Sequence, residues 1–413
     1  MLQDYTKFTG KDELNKILRK MGAVLDISNT QHEDAVNKYQ AIANYLGRDE
    51  KINIYMPDMY PQGSFGLGTV IKPLSDKEEY DIDLVCELKS ATIEDLTQSD
   101  LKKLIGDRLK SGMYKDMLKD QNGGRRCWTI KYAEDTQLHL DILPAMPDNA
   151  SRLLFESKGN SYGDSALSIT DNKHPDFYRY TDDWVKSNPK GYQTWFKEQM
   201  LTQLNESKRL FAATENANVD DVPDYKVKTP LQRAVQLLKR HRDSSCEDND
   251  DKPISIIITT LSAQAYSNED NLYDALVNIL NRMHEYIKYE MKDGKRITVI
   301  ENPVDSRENF ADKWEDYPIR EKVFLEWLNS AKTYFKALLQ DVKDMQWINE
   351  SLNKGFGNDI VKKTFSALGN QSRSLRDSGN LRMATGTGLL GTNIAKEKSK
   401  EVKKHNFHGK NEK

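Results

Sequence analysis

Residues 63–88 read GSFGLGTVIKPLSDKEEYDIDLVCEL, a glycine-rich turn followed by a predicted strand. Apolar and polar residues alternate from Tyr80, so Asp81 and Asp83 are expected on the same face of that strand. Two carboxylates this close repel each other, which raises the pKa of one of them unless a cation lies between them. Carboxylate oxygens are the ligands that Mg²⁺ and Mn²⁺ prefer. The stretch therefore predicts a strand that carries part of a metal site.

A second strand carries a third candidate carboxylate. The segment Arg126–Met146, RCWTIKYAEDTQLHLDILPAM, is predicted to be a hairpin of two strands that turns around Glu134 and Asp135. In its second strand Asp141 shares a face with His139. Asp141 would complete a site for two metal ions if the two strands are neighbours. His139 is interpreted as a structural neighbour, because the metals implied prefer oxygen.

The turn at Gly63 and Ser64 is suited to phosphate binding. Glycine allows backbone N–H groups to approach phosphate oxygens, and the Ser64 hydroxyl adds a donor. Combined with the three aspartates, the turn predicts a nucleoside triphosphate whose phosphates are bridged by metal ions, with an attacking hydroxyl activated beside Asp141. The alternative is a coincidental set of surface acids, because an Asp-x-Asp pair or a Gly-Ser pair alone is weak evidence.

Length and composition limit the classes of protein that remain. The chain has 413 residues, enough for two lobes that share a cleft. Its net charge of −3 gives no overall attraction to nucleic acid or membrane. No apolar run approaches the roughly 18 residues of a membrane span, and the N-terminus lacks the pattern of a signal peptide. Three cysteines without Cys-x-x-Cys spacing, Cys86, Cys127 and Cys246, predict free thiols in a reducing cytoplasm.

Helical patterns flank the two strand segments. Residues from about Lys11 to Leu46 have apolar positions at helical spacing. Thr229 and Pro230 are typical of a helix start and precede LQRAVQLLKRHRD. The next segment, residues 252–266, fits either a strand or a buried helix. After about Ser372 the composition predicts a flexible tail.

The order of a Gly-Ser turn, an Asp-x-Asp strand and a separate aspartate resembles the DNA polymerase β-like nucleotidyltransferases. Longer segments resemble the bacterial cGAS/DncV-like nucleotidyltransferases (CD-NTases) of CBASS anti-phage systems, and Val24–Leu46 resembles their N-terminal spine helix. The resemblance covers roughly residues 10–370 and rests on QGSFGLGTVIKPL, EYDIDLV, LHLDILPAMP, SNPKGYQTWF, TPLQRAVQLLKRHRD and ENPVDSRENFADKW.

This resemblance implies an α+β, bilobal polymerase β-like nucleotidyltransferase with a mixed-sheet catalytic lobe and a helical C-terminal lobe. The predicted domains are residues 1–225 for the spine helix and catalytic core, 226–371 for the helical lobe that closes the nucleotide cleft, and 372–413 for a flexible basic tail. The implied enzyme joins nucleoside triphosphates, ATP among them, into a cyclic di- or trinucleotide second messenger and releases pyrophosphate. The messenger activates a downstream effector in antiviral defence.

Site residues can be carried over by position from the family. Asp81 and Asp83 would bind two Mg²⁺ (or Mn²⁺) ions, and Asp141 would bind one of them and help to deprotonate the acceptor hydroxyl. Gly63 and Ser64 would hold the donor triphosphate.

Two more residues match the family in the helical region. Lys239 aligns with the family's phosphate-binding lysine, and Ser255 aligns loosely with a serine near the phosphates. The alternative for Lys239 is a solvated lysine on a basic helix face.

Other features separate this chain from some relatives. It lacks the His/Cys cluster of animal cyclic GMP–AMP synthase, so neither a DNA switch nor a structural zinc is expected. The tail HNFHGKNEK resembles a His-x-Phe-aromatic-Gly ending that some defence systems join to a partner. His408 replaces the aromatic residue and four residues follow Gly409, which favours a solvated tail over a tail that is joined to a partner.

Two alternative functions remain open. One is a nucleotidyltransferase that modifies an RNA or protein acceptor, although the near-neutral net charge of the chain argues against an extended basic surface for RNA. The other is a pseudoenzyme, against which the three aspartates argue.

Overall fold

The computed structural model describes residues 10–72, 80–132, 138–215, 217–247, 249–340, 344–385, 390–391 and 399–402. The chain divides into two compact units. The larger unit comprises residues 25–337, and the smaller comprises the described parts of residues 1–24 and 338–413. None of the helices in these ranges combines the length and the apolar character that a membrane crossing requires.

Helices account for most of the regular structure. In chain order they are α1 (Lys11–Leu25), α2 (Asn29–Gly47), α3 (Glu50–Asn53), α4 (Gly63–Gly66), α5 (Gln98–Lys110), α6 (Asn149–Ser157), α7 (Pro189–Gln199), α8 (Leu201–Glu215), α9 (Pro230–Ser245), α10 (Ser255–Ala265), α11 (Leu272–Arg282), α12 (Lys313–Asp316), α13 (Pro318–Gln340), α14 (Met345–Phe356) and α15 (Asn358–Asp377).

The strands fall into one larger sheet and several short pairings. They are β1 (Pro57–Pro61), β2 (Tyr80–Leu88), β3 (Trp128–Lys131), β4 (Leu138–Pro147), β5 (Leu167–Ile169), β6 (Val185–Ser187), β7 (Lys288–Lys292), β8 (Lys295–Val299), β9 (Glu301–Asn302), β10 (Asp305–Asn309), β11 (Arg382–Ala384), β12 (Leu390–Gly391) and β13 (Ser399–Glu401).

Strands β1 to β6 form a mixed sheet with the order β1-β2-β4-β5-β6, and β3 pairs with the first half of β4. Strands β2 and β4 are parallel, whereas the other pairs are antiparallel. The first half of β4 therefore lies between β2 and β3. The predicted α+β class with a mixed sheet is confirmed.

One face of this sheet forms the main core of the larger unit. Ile82 and Leu84 of β2 and Leu140 of β4 are fully buried there, together with Ile42 of α2 and Ile105 of α5. Burial of each such side chain contributes about 1.5–3 kcal/mol. A one-residue slip of either strand would exchange these side chains with the acidic ones on the opposite face, so the apolar pattern fixes the strand register.

Helix α9 begins as the sequence predicts, with Thr229 as its N-cap and Pro230 as its first residue. The Gln232 side chain completes a capping box with Thr229. The ambiguous segment 252–266 is a helix, α10, and not a strand. Its apolar residues are buried on nearly all sides, which explains why it lacks the period of an amphipathic helix.

The N-terminal helical region differs from the continuous pattern at Lys11–Leu46. It is broken after Leu25, and α2 starts with a capping box between Ser28 and Gln31. The pair of side chains satisfies backbone donors at the new helix start, and this stabilises the break.

The C-terminal region also differs from the predicted tail. Helix α15 continues past residue 372 to Asp377, and β11 pairs with β13 beyond it. The predicted tail signal at His408 and Gly409 lies outside the described residues, as does the turn around Glu134 and Asp135. The domain boundaries remain predictions.

Candidate active site

The parallel pairing of β2 with β4 places the three aspartates on one face of two neighbouring strands. In this register Asp83 lies opposite Asp141, and Asp81 lies opposite His139. Asp83 and Asp141 are therefore direct neighbours across the sheet, although 58 positions separate them in the chain. The same face continues towards the strand ends as a small apolar cluster that includes Val85 and Leu143.

Burial and mutual repulsion make this face costly for negative charge. Burial raises the pKa of Asp83 to about 6, and the negative charges of Asp141 and Asp81 add to the effect. The Asp81 side chain is 60% exposed, but partial desolvation and the charge of Asp141 also raise its pKa, while His139 opposes the increase. The fold thus holds carboxylates where a cation would offset their repulsion.

Asp81 and Asp141 each have a polar neighbour. The Asp81 carboxylate lies 3.2 Å from Nδ1 of His139. The hydroxyl of Thr129 on β3 donates to Asp141, with 2.5 Å between the oxygens. Thr129 was not predicted from the sequence, because only the antiparallel register of β3 with β4 brings it opposite Asp141.

The donors fit a divalent cation in type. All three aspartates offer oxygen ligands, and their repulsion is of the kind that such an ion relieves. Within the described ranges, no group of three or more His, Cys, Asp or Glu side chains already has a metal-holding arrangement. One oxygen each of Asp81 and Asp141 contacts His139 and Thr129, respectively.

Gly63 lies against one of these carboxylates. Its φ of +58° is in the left-handed region, and a Cβ atom there would lie 2.5 Å from Oδ2 of Asp83. The neighbouring Gln62 N–H donates to the Asp83 carbonyl at 2.8 Å. Two independent constraints, the backbone conformation and the contact, therefore require glycine at this position.

A cleft of about 570 Å³ connects the turn, the strand and the helical part of the larger unit. Six of the seven predicted site residues line it: Gly63, Ser64, Asp81, Asp83, Lys239 and Ser255. Asp141 is not among the lining residues, although it lies beside Asp83 in the sheet. The cationic side chains of Lys72, Arg242 and Lys252 also line the cleft, as do the acidic side chains of Asp243 and Glu247. Arg242 is paired with Asp243, and the two lysines are cations that a polyanionic ligand could contact.

Lys239 is buried, so the alternative of a solvated lysine is wrong. Only 4% of it is exposed, and its ammonium donates to the carbonyl and the hydroxyl of Thr69 at 3.2 and 3.1 Å. Burial lowers the pKa of Lys239 to about 7, and the charge of Arg242 adds to this decrease.

Lys239 belongs to a set of four polar side chains whose shared contact with residues 67–70 was not predicted from the sequence. Lys228, Gln232 and Gln236 donate to the carbonyls of Gly68, Leu67 and Val70, respectively. We call these four side chains the carbonyl clamp. The clamp holds residues 67–70, directly after the Gly-Ser turn, against the start of α9. Its signal was the spacing of polar residues at 232, 236 and 239, which places them along one side of α9.

Ser255 lies at the start of α10 and contacts α9. Arg242 donates to the Ser255 hydroxyl at 3.0 Å and to the Pro253 carbonyl at 2.8 Å. Ser255 therefore lines the cleft as one partner of a buried arginine.

The sheet order and the position of its acids define the class of protein, a nucleotidyltransferase of the polymerase β type. Residues 57–144 match the family described as "Cyclic GMP-AMP synthase DncV-like, nucleotidyltransferase domain". The c-di-GMP synthase of Roseivirga ehrenbergii is 30% identical over 408 residues, which cover 97% of this chain and 98% of that relative. This similarity shows that the chain belongs to the DncV-like family, the CD-NTases, and the predicted resemblance is confirmed.

Two further comparisons involve one relative. The cyclic dinucleotide synthase CdnG of Bradyrhizobium diazoefficiens is 24% identical, over 92% of this chain and 91% of its own. The solved structure of CdnG in complex with GTP has a TM-score of 0.64 to this chain at 20% identity. It covers 87% of this chain and 100% of CdnG, so the fold is shared across nearly the whole length.

Proposed function

We propose that the chain joins two nucleoside triphosphates into a cyclic dinucleotide and releases pyrophosphate. The observation that carries this proposal is the register of Asp83 with Asp141 beside the turn at Gly63 and Ser64. This register supports the proposal, because Asp141, the candidate acceptor-activating group, is the cross-strand neighbour of Asp83, and Asp83 lies against Gly63 of the candidate triphosphate site. The names of the two relatives, both dinucleotide synthases, favour a ring of two nucleotides over a ring of three.

Each half of the reaction is a displacement at phosphorus. The ribose hydroxyl of one nucleotide attacks the α-phosphorus of the other, a new P–O bond forms, and the bond to pyrophosphate breaks. The hydroxyl proton passes to the Asp141 carboxylate. Ser64, the backbone at Gly63 and the Lys239 ammonium hold the triphosphate, and a second displacement closes the ring.

Asp81, Asp83 and Asp141 are the residues that would hold two Mg²⁺ or Mn²⁺ ions. Bound ions would supply positive charge to the phosphates and make the attacking hydroxyl more acidic. The chain's own part is to fix the carboxylates on two adjacent strands and to keep the turn in contact with Asp83.

We also propose a biological setting from the family relationship. The cyclic product serves as a second messenger in bacterial anti-phage (CBASS) signalling, where it activates an effector protein in the cytoplasm. The free cysteines are consistent with that compartment.

Product analysis tests the proposed function. The purified chain is incubated with all four labelled nucleoside triphosphates and Mg²⁺ or Mn²⁺, treated with phosphatase and analysed by chromatography. We expect a phosphatase-resistant product from the wild type and none from the Asp81→Asn/Asp83→Asn variant. A labelled RNA or protein acceptor instead of a small product would favour the alternative function. An equal product from the variant would place the metal site elsewhere.

A further inference from the structure

A second pocket adjoins the cleft on the other side of Gly63 and Asp83. Its volume is about 290 Å³, and Gly63, Leu67, Asp83 and Ile256 line both cavities. The pocket brings together residues 187–193 and 302–310. Both stretches belong to segments that resemble the family, SNPKGYQTWF and ENPVDSRENFADKW, but neither has yet been given a role.

A carboxylate on the β9–β10 hairpin faces this pocket. Oε2 of Glu308 accepts a hydrogen bond from the Asn302 side-chain amide at 2.7 Å. The side-chain oxygen Oδ1 of Asn302 accepts from the Val304 N–H at 3.1 Å, so the side-chain amide has one orientation. Within the part of the chain that the structure describes, Oε1 of Glu308 has no hydrogen-bond partner. Asn302 thus holds the carboxylate through Oε2, and each carboxylate oxygen has two lone pairs, so Oε2 can accept one further hydrogen bond and Oε1 is available to a ligand.

Two aromatic rings line the same pocket as this carboxylate. Tyr192 and Phe310 line the pocket and meet edge to face, with ring centroids 6.1 Å apart. The Tyr192 hydroxyl is 2.8 Å from that of Thr260, which fixes the ring. Aromatic side chains next to a fixed polar group are typical of sites that bind a planar heterocycle.

The hydrogen-bonding capacity of Glu308 selects among the nucleobases. An ionised carboxylate only accepts hydrogen bonds, and its two oxygens match two parallel donors. Guanine presents adjacent donors, N1–H and the N2 amino group, on its Watson–Crick edge. Adenine and cytosine present a donor beside an acceptor there, and uracil presents one donor between two carbonyl groups.

We propose that this pocket binds the guanine base of one of the two nucleotides, with Glu308 accepting from N1–H and the N2 amino group and Asn302 holding Glu308 in place. The inference rests on the proposed function, because it assigns a base to that same site. It makes Glu308 a specificity-determining residue that lies outside the carboxylate cluster of the metal site.

Binding measurements on the full chain test this assignment without depending on turnover. Affinities for non-hydrolysable analogues of GTP, ITP and ATP are measured by calorimetry with Mg²⁺ at pH 8, because burial raises the pKa of Glu308 and a higher pH favours its ionised form. ITP lacks only the N2 amino group. We expect the wild type to bind the GTP analogue more tightly than the other two, by about 10-fold over the ATP analogue.

Glu308→Gln keeps the side-chain volume but places an N–H group against the two guanine donors. We expect this variant to lose the preference for guanine. The matched control is Glu301→Gln in the same hairpin, whose carboxylate pairs with Lys288 and does not line the pocket, and it should keep the preference.

Two results would overturn the assignment. One is a wild type that binds the ITP and GTP analogues equally well, which needs no variant. The other is a Glu308→Gln variant that retains the wild-type ratio of GTP to ATP affinity. If either result accompanies normal formation of a cyclic product, the guanine assignment fails while the proposed function stands. If no cyclic product forms but guanine preference depends on Glu308, only the proposed reaction fails.

Discussion

At the scale of single residues, Gly63 meets two physical requirements, a positive φ and a close contact with the Asp83 carboxylate. An alanine there must adopt a positive φ, which costs about 1–2 kcal/mol, and it must also displace the Asp83 carboxylate. We expect Gly63→Ala to destabilise the protein by more than the backbone cost alone and to reduce product formation by at least about 10-fold, because Asp83 moves. Denaturant unfolding and the product assay measure the two effects.

Gly159 provides the matched control for this prediction. Its φ is +67°, and no heavy atom lies within 4 Å of the Cβ position. Gly159→Ala should therefore show the backbone cost without a loss of activity. Equal activity losses in the two variants would contradict the role assigned to the contact with Asp83.

The raised pKa of Asp83 predicts a pH-dependent stability of the metal-free protein. The folded pKa of about 6 lies above the ordinary value of 3.8, so the folded state binds more protons than the unfolded state between these pH values. The contribution of Asp83 to the free energy of unfolding therefore falls by roughly 2 kcal/mol as pH rises from about 4 to 6. Asparagine does not titrate, so the Asp83→Asn variant lacks this fall in stability. In EDTA the variant should be more stable than the wild type at pH 7 but not at pH 4.

Asp107→Asn is the control for that comparison, because Asp107 is exposed on α5. Its stability relative to the wild type should stay within about 0.5 kcal/mol at both pH values. If Asp83→Asn destabilised the protein at pH 7, the folded state would favour the ionised carboxylate, which contradicts the prediction.

Lys239 predicts a pH dependence of nucleotide binding. Its pKa of about 7 means that the buried amine loses its charge as pH rises above 7. A triphosphate binds the ammonium form, so affinity for a non-hydrolysable nucleotide should fall between pH 7 and 9, by up to about 10-fold per pH unit. Lys239→Met should bind more weakly at pH 7 and show a flatter profile. A wild-type profile that is flat over this range would remove Lys239 from phosphate binding.

At the scale of elements, helix α9 acts through the carbonyl clamp. Gln236 donates to the Val70 carbonyl and to Asp26, both at 2.8 Å, and neither this side chain nor the Val70 carbonyl has easy access to water. Gln236→Leu leaves the carbonyl unsatisfied, which costs about 1–3 kcal/mol. We expect lower stability and lower activity, because residues 67–70 lose a contact that positions the Gly-Ser turn.

Gln40→Leu tests whether the loss is specific to the clamp. Gln40 is exposed on α2, so its substitution should change the free energy of unfolding by no more than about 0.5 kcal/mol. A similar loss of stability in both variants would mean that glutamine-to-leucine replacement, and not the clamp, causes the effect.

The sequence predicted the elements whose signal is local. Alternation in β2 and the helix start at Thr229 depend on neighbouring residues, and both were predicted correctly. Strand register is not local, so Thr129 could not be paired with Asp141 from the sequence. The break after Leu25 has a local signal, the Ser28–Gln31 capping box, which the continuous apolar spacing obscured.

At the scale of the whole molecule, the larger unit carries the complete candidate site. The carboxylates belong to the sheet and Lys239 belongs to α9, so a ligand that contacts both restricts their relative motion. A ligand that binds only the folded state raises stability by RT ln(1 + [L]/Kd), about 2.7 kcal/mol at 100 times Kd. We therefore expect Mg²⁺ together with a non-hydrolysable GTP analogue to raise the thermal midpoint more than the sum of the shifts from each alone.

The excess over that sum measures the coupling between metal and triphosphate in the cleft. Asp81→Asn/Asp83→Asn should abolish the excess, because the variant cannot hold an ion beside the phosphates. Asp107→Asn should retain it. A variant that loses both carboxylates and still shows the full excess would mean that the nucleotide brings its own ion to the cationic wall formed by Lys72, Arg242 and Lys252, and that the acidic face of the sheet has another role.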